Sequence, residues 1–289
     1  MLLFLLFSEV KIHLFTDKEN YLLGELISVS YYIANIGNKT EICEYVGART
    51  LGSDNAYMWN DKGKFYMEGE PSVFIYVNGE FKKQLIEISP GDTYWFDTTT
   101  INLCFDLGDY ELVKRKHNSL TCLPVGEYYY TIFVRFYENG KETKIWADTA
   151  HFTVEEPKDE KPFEYYKKII SLSVLYNFPD IMRYSLEFLN KFPESEYTDD
   201  IIHLLVSRIK VKCGEPGKKE DDIIWVKKYI DYLKNNIERF KYGYKGKALK
   251  DVILSLRFGW KMIGYSSKDI DDMIKDIKDE LNVNIKEKY

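Results

Sequence analysis

The chain has 289 residues, 45% hydrophobic and 30% charged, which is enough to bury two ordinary cores and too apolar for a disordered protein. The net charge of −6 is unevenly spread: residues 1–157 hold 14 Lys and Arg against 23 Asp and Glu, and residues 158–289 hold 26 against 23. An acidic first half repels phosphate backbones, and the second half dilutes Lys218, Lys219, Lys227 and Lys228 with Glu220, Asp221 and Asp222, so nucleic-acid binding is disfavoured as a main role.

The first seven residues, Met1-Leu-Leu-Phe-Leu-Leu-Phe7, are apolar and too few to cross a bilayer, so no transmembrane segment is read there. Residues 1–8 read either as a residual signal segment or as the start of a first strand. From residue 9 to 155 the apolar period is two. Glu9 to Leu14 and Glu25 to Ala34 alternate polar and apolar, with Gly24 turning between them and Asn35-Ile-Gly-Asn38 ending the second run. Val73 to Val77 and Phe81 to Ile88 flank Asn78-Gly79, a dipeptide suited to the tight turn of a hairpin. Tyr128 to Tyr137 is a long strand, and Asn139-Gly140 turns it into a further strand from Thr143 to Val154. Many short strands with frequent turns predict an antiparallel β-sandwich over residues 9–155.

Glu155-Glu-Pro-Lys-Asp-Glu-Lys-Pro162 is charged, carries two prolines and has no apolar side chain but proline, so residues 156–162 read as a linker. Beyond it, over residues 163–289, the period becomes 3.6 and predicts an all-α domain. Phe163, Tyr166, Ile169, Ile170 and Val174 mark one helix face. Pro179 suits the first turn of the next helix, which turns Ile181, Leu186 and Leu189 inward. Asp199 to Val211, Glu220 to Phe240, Lys247 to Ile263 and Ser266 to Leu281 follow, the last with Ser266 as N-cap. Short loops predict antiparallel neighbours.

Two stretches carry a resemblance. Asp17-Lys-Glu-Asn-Tyr21-Leu-Leu-Gly24-Glu25, with Asn35-Ile-Gly37, Ser89-Pro90-Gly91-Asp92 and Leu123-Pro-Val-Gly126-Glu-Tyr128, resembles bacterial immunoglobulin-like domains, including macroglobulin-type domains and proteinase inhibitors. That resemblance implies an immunoglobulin-like sandwich, with the span from Gly47 to Gly69 as an insertion. Tyr184 to Phe192-Pro193-Glu-Ser195 resembles a junction between tetratricopeptide helix pairs and implies a tetratricopeptide-like helical domain, although no clean repeat runs through the rest.

Catalytic motifs are missing. His13, His117, His151 and His203 have no zinc-protease spacing, no Gly-x-Ser-x-Gly elbow exists, and no phosphate-binding glycine loop follows a strand. Neither an enzyme nor a cofactor is expected. Asp92, Asp97, Asp106 and Asp109 are candidates for a calcium site at a sandwich end, against the alternative of a solvated acidic rim. Cys104 and Cys122 flank a polar excursion and are disulfide candidates, with Cys43 as another partner for either, against the alternative that all four cysteines are reduced, buried thiols. The span from Glu44 to Glu70 concentrates Tyr45, Tyr57, Trp59, Phe65 and Tyr66, candidate recognition aromatics on a loop, against the alternative of a loop that folds back and buries them as a small satellite cluster. The resulting expectation is a non-enzymatic binding or scaffold protein, extracytoplasmic (periplasmic or secreted), with a protein or glycan partner. A protease inhibitor and an enzyme with an unrecognised carboxylate pair are the alternatives.

Overall fold

A computed structural model describes residues 9–44, 56–63, 65–67, 74–77, 80–83, 85–95, 99–101, 123–138, 140–174, 177–215, 219–240 and 247–280. The chain divides into two compact units, Met1–Pro157 and Lys158–Tyr289. Among the described residues every strand lies in the first unit and every helix in the second.

The first unit contains β1 (Val10–Thr16), β2 (Asn20–Leu22), β3 (Ile27–Asn35), β4 (Glu41–Glu44), β5 (Ala56–Asn60), β6 (Phe65–Met67), β7 (Phe74–Val77), β8 (Glu80–Lys83), β9 (Leu85–Ile88), β10 (Thr93–Trp95), β11 (Thr99–Ile101), β12 (Gly126–Glu138), β13 (Lys141–Trp146) and β14 (Ala150–Glu155). In one sheet β3 pairs antiparallel with β1, and also with β10 and β11. The other is built on β12, which takes β14 and β13 along one edge and β5 and β4 along the other. There β2 adds to β14 in parallel, β9 to β4, and β6 to β5. Alternation decides which side chains turn inward. Ile12 and Leu14, Val29 and Ile33, Tyr130 and Val134, and Phe152 and Val154 join Cys43, Met58 and Ile88 in one hydrophobic cluster drawn from both sheets.

Both expected hairpins form. Val77 stands opposite Glu80 and Glu138 opposite Lys141, so each connection has two residues, and Gly140 has φ +76°. Two long runs, however, are broken. Phe81 to Ile88 divides, since β8 pairs with β7 whereas β9 pairs with β4. Thr143 to Val154 divides at a bulge: Phe133 faces Trp146 and Tyr130 faces Ala150, so Ala147, Asp148 and Thr149 oppose only two residues of β12. The bulge releases Asp148 toward β1. Its amide donates to the Ile12 carbonyl at 3.2 Å, its carboxylate accepts the Leu14 amide at 2.5 Å, and the other oxygen meets His13 Nδ1. One extra residue thereby ties the two sheets together.

The segment Asp17 to Glu25 is a closed hydrogen-bonded turn. Asp17 accepts from the Tyr21 hydroxyl at 2.5 Å and from the Ser28 amide at 3.1 Å. Glu25 accepts from the Leu22 amide at 2.8 Å and pairs with Lys18, both side chains being nearly buried. Gly24, at φ +80°, makes the left-handed step that returns the chain to β3.

The second unit contains α1 (Glu160–Val174), α2 (Phe178–Lys191), α3 (Thr198–Gly214), α4 (Glu220–Asn235), α5 (Ile237–Phe240), α6 (Lys247–Met262) and α7 (Ser267–Glu280). Helix α1 begins inside the segment read as a linker. Asp159 accepts the Lys161 amide at 3.0 Å, and Pro162 lies in the first turn, where an amide would have no helical partner. The run from Glu220 to Phe240 breaks at Asn236. Its side-chain amide takes the Tyr232 carbonyl at 2.8 Å, the acceptor that a continuing helix would give to its backbone amide, which bonds Leu233 instead. Ser266 caps α7 as expected, its hydroxyl accepting the Asp269 amide at 3.2 Å.

Two pairs of helices, α1 with α3 and α3 with α6, run parallel. Along α1 and α3, Phe163 stacks on Tyr197, Tyr166 bonds Asp200 and Arg208 bonds the Ser173 carbonyl, so contacts advance in the same direction on both. Along α3 and α6, His203 meets Asp251 and Lys210 lies over Phe258. Gly259 of α6 lets α4 approach closely: a Cβ there would lie 2.7 Å from Ile230 Cδ1.

Candidate functional site

Strand β12 is apolar on both faces. Tyr128, Tyr130, Ile132, Val134 and Phe136 point into the core, so Tyr129, Thr131, Phe133 and Arg135 point out of the sheet. Their cross-strand neighbours are aromatic as well. His151 of β14 and Trp59 of β5 stand opposite Tyr129 on either side, Tyr57 opposite Thr131, and Trp146 opposite Phe133.

The outward side chains form two adjoining groups. In the first, Trp59, Tyr129 and His151 make a row across three strands, with centroids 5.9 Å apart between Trp59 and Tyr129 and 5.0 Å between Tyr129 and His151. The Trp59 and Tyr129 rings are inclined by only 19°. In the second, Trp146 and Tyr57 lie 5.2 Å apart and close over Phe133, each approaching it (5.2 and 6.4 Å). Phe133 is thus 1% exposed on an outer face, while Trp146 remains 51% exposed.

Charged side chains border both groups. Lys144 Nζ stands 4.5 Å over the Phe133 ring and the Arg135 guanidinium 5.3 Å from it. Arg135 Nε bonds Glu142 at 3.0 Å, and Glu127 lies 3.6 Å from His151 Nε2. The arrangement is an apolar, ring-lined surface with hydrogen-bonding groups at its margin. It offers stacking and edge hydrogen bonds.

Two of the aromatics singled out from the sequence, Tyr57 and Trp59, are therefore in a strand rather than a recognition loop. Ala56 to Asn60 pairs with β12 because Met58, fully buried, inserts into the core while its neighbours face outward. Phe65 and Tyr66 fall in β6, where Phe65 stands opposite Trp59; their side chains lie outside the described atoms. Tyr45 lies outside the described residues, as do Asp97, Asp106, Asp109, Cys104 and Cys122. Asp92 is exposed in the turn before β10, where its carbonyl accepts the Asn35 amide at 3.0 Å. Among the described residues no three His, Cys, Asp or Glu side chains come close enough to hold a metal. Cys43 is a thiol buried in the core, and the Cys213 thiol donates to the Phe258 carbonyl at 3.0 Å. Tyr129, Phe133 and Trp146 were not singled out from the sequence, and His151 was weighed there only for zinc-protease spacing. The signal was present in Tyr128-Tyr-Tyr130, where alternation fails because both faces of the strand carry aromatic side chains.

No protein-family model and no curated protein matches the chain. Solved structures similar to part of it include a Northeast Structural Genomics Consortium target, with TM-score 0.28 and 16% identity over 52% of this chain and 89% of that one. The sporulation control protein Spo0M of Bacillus subtilis has TM-score 0.28 and 14% identity over 57% and 55% of the two chains. The alkylpurine DNA glycosylase AlkC of Pseudomonas fluorescens, solved bound to DNA, has TM-score 0.26 and 15% identity over 52% and 31%. No helix among the described residues is long and apolar enough to cross a membrane.

Proposed function

We propose that the protein is a non-enzymatic binding protein whose β unit holds a neutral glycan chain on the aromatic face around Tyr129. The observation that carries this reading is the row Trp59–Tyr129–His151, with ring centroids 5.9 and 5.0 Å apart across three strands. That spacing follows from the separation of neighbouring strands, about 4.8 Å, and is comparable to the length of one pyranose ring. Sugar C–H faces pack on such rings as apolar surface, and sugar hydroxyls find partners at the margin in Glu127, His151 and Glu142. The negative charge of residues 1–157 favours a neutral ligand over a phosphate-bearing one.

The same reading takes the β unit as immunoglobulin-like, supported by two sheets that share one core and are antiparallel except where β2 joins β14, and by the turn motif at Asp17 to Glu25. It takes the helical unit as tetratricopeptide-like, supported by the parallel course of α1 with α3 and of α3 with α6 and by the Phe192-Pro193 junction. An extracytoplasmic location accords with a glycan ligand and with the apolar run Met1 to Phe7.

The test is tryptophan fluorescence titration of the whole chain with cellohexaose, mannohexaose and chitohexaose. The expected result is saturable binding of at least one, weakened tenfold or more by Trp59→Ala and by Tyr129→Ala. Absence of binding to all three at millimolar concentration, or equal binding by both variants, overturns the reading.

A further inference from the structure

The outer face of the sheet built on β3 carries a second row of rings. Alternation turns Ile12, Leu14, Tyr31 and Ile33 into the core, so His13 and Phe15 of β1 and Tyr32 of β3 face outward. Trp95 of β10 joins them and is 52% exposed. Pairing puts His13 opposite Tyr32 and Tyr32 opposite Trp95, so three strands contribute one ring each to a single row. Ring centroids are 5.3 Å apart between His13 and Tyr32 and 4.7 Å apart between Tyr32 and Trp95. Phe15 stands opposite the small Ser30, and its ring lies 5.9 Å from His13 and 6.1 Å from Trp95, which closes the four rings into one patch.

This row repeats the chemistry of the Tyr129 face. Each has a tyrosine on the middle strand, a tryptophan on one side and a histidine on the other. Each histidine stands beside a carboxylate: His151 beside Glu127, and His13 Nδ1 bonded to Asp148, which the bulge before β14 delivers. Polar groups border the second row as they border the first. The Asp148 side chain is 46% exposed, and Lys11 and Thr93, both exposed, flank Ala34 in the next row along the strands. They supply donors and acceptors for sugar hydroxyls beside rings that take the C–H faces.

The geometry points to a second binding face on the β unit, taking a neutral glycan chain along His13, Tyr32 and Trp95. Its ligand class rests on the reading of the Tyr129 face; its residues do not. The two faces point away from each other across one core, with sheets about 10 Å apart. A short oligosaccharide lying on one face does not reach the other, so the β unit takes two, and on a polymer it bridges two chains.

Neighbouring rings of the row are inclined by 46° and 47°, a stepped surface, so the probes are cellohexaose, mannohexaose and chitohexaose together with the more strongly turning laminarihexaose and maltohexaose. The full chain labelled with fluorotryptophan gives one ¹⁹F resonance for each of its five tryptophans, assigned by replacing each in turn with phenylalanine. The Trp95 and Trp59 resonances are expected to move saturably with at least one hexaose, and that of Trp260, buried in the helical unit, to stay. Tyr32→Ala is expected to weaken the Trp95 response tenfold or more and to leave the Trp59 affinity within twofold; Tyr129→Ala is expected to do the reverse. A Trp59 response with no Trp95 response at millimolar hexaose overturns the second face alone. A Trp95 response with no Trp59 response overturns the Tyr129 reading and leaves the second face standing. Silence from both, or a Trp95 response that Tyr32→Ala leaves unchanged or Tyr129→Ala abolishes, overturns the second face. Tyr32 is half-buried, so should Tyr32→Ala lose the cooperative urea transition, Tyr32→Thr, which keeps strand propensity, carries the same test.

Discussion

Replacing Asp17 by alanine probes whether the turn between β1 and β3 holds the edge of the β unit. The carboxylate accepts from the Tyr21 hydroxyl at 2.5 Å and the Ser28 amide at 3.1 Å, and both Tyr21 and Ser28 are 1% exposed. Burial, and after it the charge of Asp17, pushes the Tyr21 phenol well above its ordinary range, so it remains a neutral donor. Asp17→Ala leaves two buried donors without their acceptor, at about 1–3 kcal/mol each. Asp17 is half-buried and water can reach part of the gap, so the expected loss is about 2–4 kcal/mol. Tyr21→Phe removes one of those donors, so the double variant is expected to be less damaged than the sum of the singles, with a coupling of about 1–2 kcal/mol. Urea unfolding followed by amide hydrogen exchange, with peptides from β1 and β3 resolved from the helices, measures both. A loss below about 0.5 kcal/mol, or singles that add within about 0.3 kcal/mol, refutes the reasoning.

Gly259→Ala puts a Cβ 2.7 Å from Ile230 Cδ1 and 3.4 Å from Val226 Cγ1, both in the core. Overpacking of about 1–3 kcal/mol exceeds the helix-propensity gain of about 1 kcal/mol, so thermal unfolding is expected to show a net loss of up to about 2 kcal/mol, partly recovered by adding Ile230→Val. Ser266→Ala removes the hydroxyl that accepts the Asp269 amide, and is expected to cost about 1 kcal/mol and to speed exchange of α7 amides about fivefold. Burial, aided by Glu41 and Glu44, pushes the Cys43 thiol up to about 12 from its ordinary 9.0. A raised folded value stabilises fully below pH 9 and is lost as pH climbs toward 12, so stability is expected to fall over that interval and less steeply in Cys43→Ala. Iodoacetamide at pH 8 is expected to label Cys43 only after unfolding, as peptide mass spectrometry would show.

The order of strands then helices was legible because it depends on neighbours in sequence. Period-two spacing placed Ile12, Leu14, Val29 and Ile33 on inner faces, Asn139-Gly140 turned β12 back on itself, and Ser266 started α7. Each rests on backbone preferences within a few residues. The broken runs were not legible. Phe81 to Ile88 reads as one strand until β4 claims its second half, and Glu220 to Phe240 as one helix until the Asn236 side chain takes the Tyr232 carbonyl.

The sites lie further still from local sequence. Tyr57 and Trp59 stood out as aromatics, but only the pairing of β5 with β12 brings them to Tyr129, His151 and Trp146, across some seventy to ninety positions of chain. His203 carries no motif; its meeting with Asp251 needs α3 and α6 to run parallel. By itself the sequence determined which side chains turn inward and where the backbone turns, because those choices are settled by sterics and hydrogen bonds among near neighbours. Tertiary structure alone decided which outward side chains share a surface, because that follows from strand pairing and helix packing between distant segments.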